Sequence, residues 1–135
     1  MKIVYKDFPL AIHANAQKAA EASRCAAEQG KYWEYHDHMF TNQSTLAPDN
    51  LKKFAADLQL DTAQFDSCLD SSKYTQAVAK DVAEGNRVGV TGTPAFFVNG
   101  KFLNGAKPFE AFSQLINAEL QRLGRPIPPA AQKPA

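Results

Sequence analysis

The dipeptide Asn99-Gly100 stands between two short β-prone runs, Ala95–Val98 and Lys101–Asn104. Both turn positions tolerate positive φ, which makes this pair the strongest short-range signal for a two-residue hairpin. Just upstream, Gly89, Gly92 and Pro94 interrupt any helical period, and the apolar run Ala95–Val98 reads as a strand buried on both faces, with Phe96 and Phe97 as core residues. The chain must therefore build a sheet near its C-terminal end. A second β-prone run, Lys2–Lys6, carries Ile3, Val4 and Tyr5 and ends before Pro9, which cannot donate to a ladder. The fold class predicted is α/β: a strand, a long helical block, a hairpin and a final helix.

The helical block is read at about residues 14–87. An alanine-rich stretch from Ala14 to Gln29 ends at Gly30, where a left-handed terminator is expected. Lys31–Thr41 predicts a second, largely buried helix, with Trp33, His36 or Asp37, and Phe40 at helical spacing. Pro48 suits a first helical position, and Leu51, Phe54, Ala55 and Leu58 then form an apolar face. Asp61 and Gln64 match a capping box for a short helix through Phe65, Cys68 and Leu69. Ser71 and Ser72 offer caps for a fifth helix, Lys73–Arg87, carrying Tyr74, Val78 and Val82. After the hairpin, Pro108 opens a last helix whose apolar stripe runs from Phe109 through Phe112, Leu115, Ile116 and Leu120 to Leu123, with Gly124 and Pro126 as its stop. One domain over 1–124 is expected, followed by an extended, mobile tail over 125–135.

Composition narrows the function. The 135 residues hold 15 basic and 14 acidic groups, a net charge of +1, without the basic stripe of a nucleic-acid binder. No apolar run approaches the roughly 18 residues of a membrane span, and no secretory signal is read at the start. The spacing of Cys25 and Cys68 excludes a C-x-x-C redox or zinc pair within these residues. His36 and His38 are two apart on one predicted helix and so point about 200° apart; His36 reads as a core or cap residue beside Trp33, His38 as a solvent residue, and no metal or other cofactor is expected. Gly89, Gly92 and Gly105 lack the spacing of a phosphate-binding loop.

Three stretches together resemble the DsbA-like branch of the thioredoxin superfamily of thiol-disulfide oxidoreductases: Val4–Leu10 with Asn15–Ala20, Gly30–Asp37, and, most specifically, Gly89–Gly100 with its Thr93-Pro94 step. The resemblance runs from Lys2 to about Leu123. It implies dithiol–disulfide exchange with protein thiols, with no cofactor, and a periplasmic or other oxidising location. It also implies a cis Thr93-Pro94 bond whose preceding backbone pairs with an incoming peptide; the dipeptide alone equally allows a trans proline entering a strand. For Cys25 and Cys68 it implies a non-catalytic disulfide in the helical block, with two buried free thiols or a redox or metal role as the other readings.

In that family a central strand and a helix carrying C-x-x-C precede the counterpart of Lys2–Lys6, and the central strand lies between that run and Ala95–Val98. An incomplete thioredoxin-like fold is therefore expected. Each buried, unsatisfied backbone group along the gap would cost about 1–3 kcal/mol. A second copy pairing its edge strands, a local rearrangement joining the two edges, or a true start upstream of Met1 would each remove that cost. The expected protein is a truncated or degenerate DsbA-like chain, catalytically silent and forming a homodimer that completes the sheet. Two readings stand beside it: a protein-binding module using the Thr93-Pro94 surface, and a fragment of an active enzyme whose C-x-x-C segment lies elsewhere.

Overall fold

The computed structural model describes residues 1–129. The chain divides into two compact units, Met1–Thr91 and Gly92–Ala135. The first holds five helices: α1 (Ala16–Ala27), α2 (Tyr32–Thr41), α3 (Pro48–Asp57), α4 (Thr62–Asp70) and α5 (Thr75–Arg87). The second holds β1 (Ala95–Val98), β2 (Lys101–Asn104) and α6 (Phe109–Arg122).

Alanine spacing makes α1 the hub of the first unit. Ala19, Ala22 and Ala26 are buried and present almost no side chain, so α2, α3, α4 and α5 all pack against this one helix. Gly30 terminates it with φ +72°, the left-handed conformation that only glycine adopts without strain. Tyr35, on α2, is fully buried: its ring lies 5.4 Å from that of Phe65, and its hydroxyl donates to the Leu51 carbonyl at 2.8 Å. Burial of each such aromatic ring supplies about 1.5–3 kcal/mol.

The buried face of α2 differs from the one its periodicity predicts. Tyr35 faces the core, and Met39, one turn on, packs against it, whereas Trp33 and Phe40 are about half exposed. Two aromatic stripes compete on this helix, and the one that meets α3 and α4 wins. At α4, Asp61 accepts from the Gln64 amide at 2.9 Å, but the reciprocal bond comes from elsewhere: the Asp61 amide donates to Gln29 Oε1 at 2.7 Å, tying the end of α1 to the start of α4. Ser71 and Ser72 do not cap α5, which begins at Thr75 with no side-chain cap.

Lys2–Lys6 is not a strand. Among the described residues its backbone has no ladder partner, and Ile3, Val4 and Tyr5 are exposed by 69, 63 and 46%. β-branched composition favours a strand only where a neighbour supplies the hydrogen bonds. What holds the segment is its far end. The Asp7 amide donates to Asp81 Oδ2 at 2.9 Å, and Arg24 bridges the two carboxylates, Nε to Asp7 and Nη2 to Asp81, both at 2.7 Å. Lys6 adds Glu84 at 2.9 Å.

Phe8 then lies over Gly85 of α5, where an added Cβ would sit 2.7 Å from the ring. Gly→Ala inside a helix ordinarily stabilises by up to about 1 kcal/mol. Here overpacking outweighs that gain, so Gly85→Ala is expected to destabilise the first unit by about 1–2 kcal/mol, read as a lowered urea midpoint. An unchanged or raised midpoint would show that Phe8 is not seated on this glycine.

In the second unit the hairpin pairs Ala95 with Asn104, Phe96 with Leu103, Phe97 with Phe102 and Val98 with Lys101. Asn99 (φ 49°) and Gly100 (φ 81°) make the turn. α6 covers one face, Phe96 meeting Phe112 edge-on at 4.8 Å. On the other face Phe97 and Phe102 stack at 4.8 Å yet remain nearly half exposed, so β1 is not buried on both faces as its apolar run predicts. Among the described residues of this unit, α6 packs on one face of the hairpin only. Phe109 and Leu123, at the ends of the α6 stripe, are likewise exposed, and Pro108 caps the helix from outside. Residues 125–129 are exposed and without regular structure, and the remainder of the expected tail, 130–135, lies outside the described residues.

Buried Glu119 ties α6 to the hairpin, pairing with Lys101 at 2.6 Å and Arg122 at 2.9 Å and accepting from Asn99 Nδ2 at 3.3 Å. Hydrogen bonds from Arg122 and then Lys101 hold its carboxyl down at about 2. A depressed carboxylate pKa gives stability that is present above the ordinary value and lost as pH falls through the folded one. Amide protection in β1 and β2 is therefore expected to decline from about pH 4.5 to about pH 2, and Glu119→Gln to remove that pH dependence. Equal acid sensitivity in the variant would contradict this anchoring role.

Candidate functional site

Three features of the structure bear on function. The first is the Thr93-Pro94 step. Gly92 and Thr93 carry the chain out of the glycine-broken segment, and the Thr93–Pro94 peptide bond is cis. Both residues are exposed, and the Pro94 carbonyl accepts from the Gly105 amide at 2.9 Å, which extends the hairpin pairing by one bond and fixes the step to β2.

The second is the sulfur chemistry. Cys25 on α1 and Cys68 on α4 form a disulfide with Cα atoms 5.9 Å apart, and no free cysteine is present. Both residues are buried, at 1 and 6% exposure. A buried disulfide between two packed helices offers no thiolate, so it cannot attack a substrate disulfide. Helical spacing alone left this pair open to other readings.

The third is a cleft that the sequence reading missed. Ile3, Val4 and Tyr5 face Tyr32 and Trp33 of α2 across a cavity of about 330 Å³, whose polar wall is Asp7 and Arg24. Tyr5 meets Trp33 at 6.3 Å and His36 at 4.9 Å, and His36 meets Phe40 at 4.5 Å. The available signal was Tyr32-Trp33 at the start of α2 opposite a β-prone segment, but their contact depends on how Asp7 is pinned. Burial, then the nearby Asp7 carboxylate, pushes the Tyr32 phenol up to about 12 and raises that of Tyr5. Burial also raises the Asp7 carboxyl, against the opposing pull of Arg24.

The histidines sit in different surroundings. His36 belongs to the aromatic cluster, whereas His38 packs on Phe54 and approaches Asp57 at 3.6 Å, so it is partly buried and not the solvent residue expected. Among the described residues no group of three or more His, Cys, Asp or Glu side chains is arranged to hold a metal ion, and no helix is long and apolar enough to cross a membrane.

The described chain is thus a helical block followed by a hairpin that a final helix covers on one face. A solved thioredoxin-like oxidoreductase from Silicibacter pomeroyi has the same fold, with a TM-score of 0.73 at 22% identity over 87% of this chain and 68% of that one. A family profile described as Thioredoxin matches residues 1–118. The chain belongs to the thioredoxin family. Among its relatives, the Na(+)/H(+) antiporter NhaA 3 of Salinispora tropica is 38% identical over 117 residues, 86% of this chain and 18% of that protein. The Na(+)/H(+) antiporter NhaA of Herminiimonas arsenicoxydans is 36% identical over 106 residues, 78% of this chain and 17% of that one. The chain thus spans about a fifth of the length of the relatives it matches.

Proposed function

We propose that these 135 residues act as a DsbA-like unit that is catalytically silent by itself and associates with a second copy; the alternative is a protein-binding module that offers its exposed Thr93-Pro94 step to extended polypeptide. One observation carries the silence: the chain's only two sulfurs of cysteine are locked in the buried Cys25–Cys68 disulfide. Dithiol exchange needs an attacking thiolate and a second thiol to resolve the mixed disulfide, and neither is available. Self-association is supported by a sheet that, among the described residues, has two strands and no further strand on either edge.

Insulin reduction by dithiothreitol tests the silence. The chain is expected to leave the rate of precipitation at the reductant-only baseline; acceleration comparable to that of a C-x-x-C protein would overturn it.

A second reading is favoured by the relatives. Because the chain matches a fifth of proteins named as antiporters, a unit of this kind occurs within longer polypeptides, and one longer than these 135 residues could place a C-x-x-C segment beside this one. Insulin reduction by a protein translated from the DNA upstream of Met1, but not by the chain itself, is the result that would favour it.

A further inference from the structure

The hairpin register specifies which backbone groups lie on the open edge of β1. In an antiparallel pair, residues alternate between those that bond their partner and those that point away. A two-residue turn makes Val98 and Lys101 a bonded pair, so Phe96 and Leu103 bond and Phe97–Phe102 and Ala95–Asn104 do not. The Gly105 amide bonding the Pro94 carbonyl continues the same alternation. The N–H and C=O groups of Ala95 and Phe97 therefore face away from β2, and among the described residues no third strand pairs with them.

That edge is self-complementary. Turned through a two-fold axis at Phe96, it sets Ala95 against Phe97 of the other copy and Phe97 against its Ala95. Both are outward-facing residues, so four N–H···O=C bonds form without a bulge or register shift. The devices that usually protect an edge are missing here. Thr91–Val98 contains no charged residue, and Pro94 does not blunt the edge because its carbonyl turns to β2. Pairing would also join the exposed Phe97–Phe102 stacks of both copies into one apolar face. By contrast, pairing Lys2–Lys6 with its own copy about Val4 would set Lys2 against Lys6 twice, and like charges directly opposite are unfavourable.

We infer that the β1 edge is the dimer interface: two copies join Ala95–Val98 antiparallel about Phe96 into a continuous four-stranded sheet. This rests on the self-association proposed above and names the residues that carry it.

Sedimentation of the full chain at tens of micromolar, with two variants, tests it. Phe97→Pro removes an N–H that points to the open edge and breaks no β1–β2 bond, whereas Phe97→Leu removes the ring and keeps the N–H. The expected result is a dimer for the parent and Phe97→Leu and a monomer for Phe97→Pro. As a second readout, amide protons of Ala95 and Phe97 should become protected as the parent's concentration rises, and Phe96→Cys should oxidise to a cross-linked dimer at the axis. A dimer that persists in Phe97→Pro, with Ala95 and Phe97 amides unprotected, overturns the β1 interface and leaves self-association standing. A parent that stays monomeric overturns both.

Discussion

Replacing Cys25 and Cys68 together by alanine is expected to destabilise the first unit by about 4 kcal/mol. The bond closes a loop of 43 positions that contains all of α2 and α3. In the chain-entropy description, releasing a loop of that length frees the unfolded ensemble by about this amount at 25 °C. For a unit of this size each kilocalorie moves the thermal midpoint by about 4–8 °C, so a drop of roughly 15–30 °C is expected in differential scanning calorimetry. The single variants sharpen the expectation. Either one opens the whole loop, so each should cost nearly as much as the pair, and the two losses should not add. Additive losses of about half each would mean that packing around the sulfurs, and not the closed loop, supplies the stability.

Arg24 carries the second large effect. Its guanidinium joins the carboxylates of Asp7 and Asp81, both less than a tenth exposed, and so fastens the N-terminal segment to α1 and α5. Arg24→Leu leaves two buried acids with only Lys6 near them. Removing one partner of a buried ion pair typically costs 3–5 kcal/mol, and the arginine's partial exposure places this case near about 3. The pH dependence has a definite sign. Burial already raises the Asp7 carboxyl, and loss of the guanidinium raises it further. A raised carboxyl pKa destabilises the fold as pH climbs through it. The deficit should therefore be larger at pH 7 than at pH 4, read from urea midpoints of parent and variant. A deficit independent of pH would show that the arginine acts by packing alone.

These effects also mark what one sequence reveals. The helices were legible where the signal is local, as in the alanine run of α1 ending at Gly30, Pro48 at the start of α3, and Asp61 before α4. The hairpin followed from Asn99-Gly100 for the same reason. The misreadings at Lys2–Lys6, on α2 and at the α4 cap concern properties that a distant partner decides. Lys2–Lys6 has strand composition, but a strand exists only with a ladder neighbour. The Trp33 and Phe40 stripe is as apolar as the buried Tyr35 face, and only the positions of Leu51 and Phe65 choose between them. Gln64 was a plausible return donor at the α4 cap until Gln29, 32 positions away, proved to hold the Asp61 amide. The cleft between Tyr5 and Trp33 was illegible because it depends on the same long-range fastening at Asp7. The family was visible in the Gly89–Gly100 stretch, and the Cys25–Cys68 bond followed from that resemblance and not from spacing.

Under the proposed reading, this chain of the thioredoxin family holds its two cysteine sulfurs as structure and not as chemistry. Alkylation of the folded chain, followed by mass spectrometry, tests it most directly. After exposure to reduced glutathione and a thiol-bearing peptide under native conditions, no cysteine should be alkylated and no mixed disulfide formed. Two alkylated residues should appear once the chain is unfolded and reduced. Alkylation of Cys25 or Cys68 in the folded chain, or capture of the peptide on either sulfur, would contradict the account.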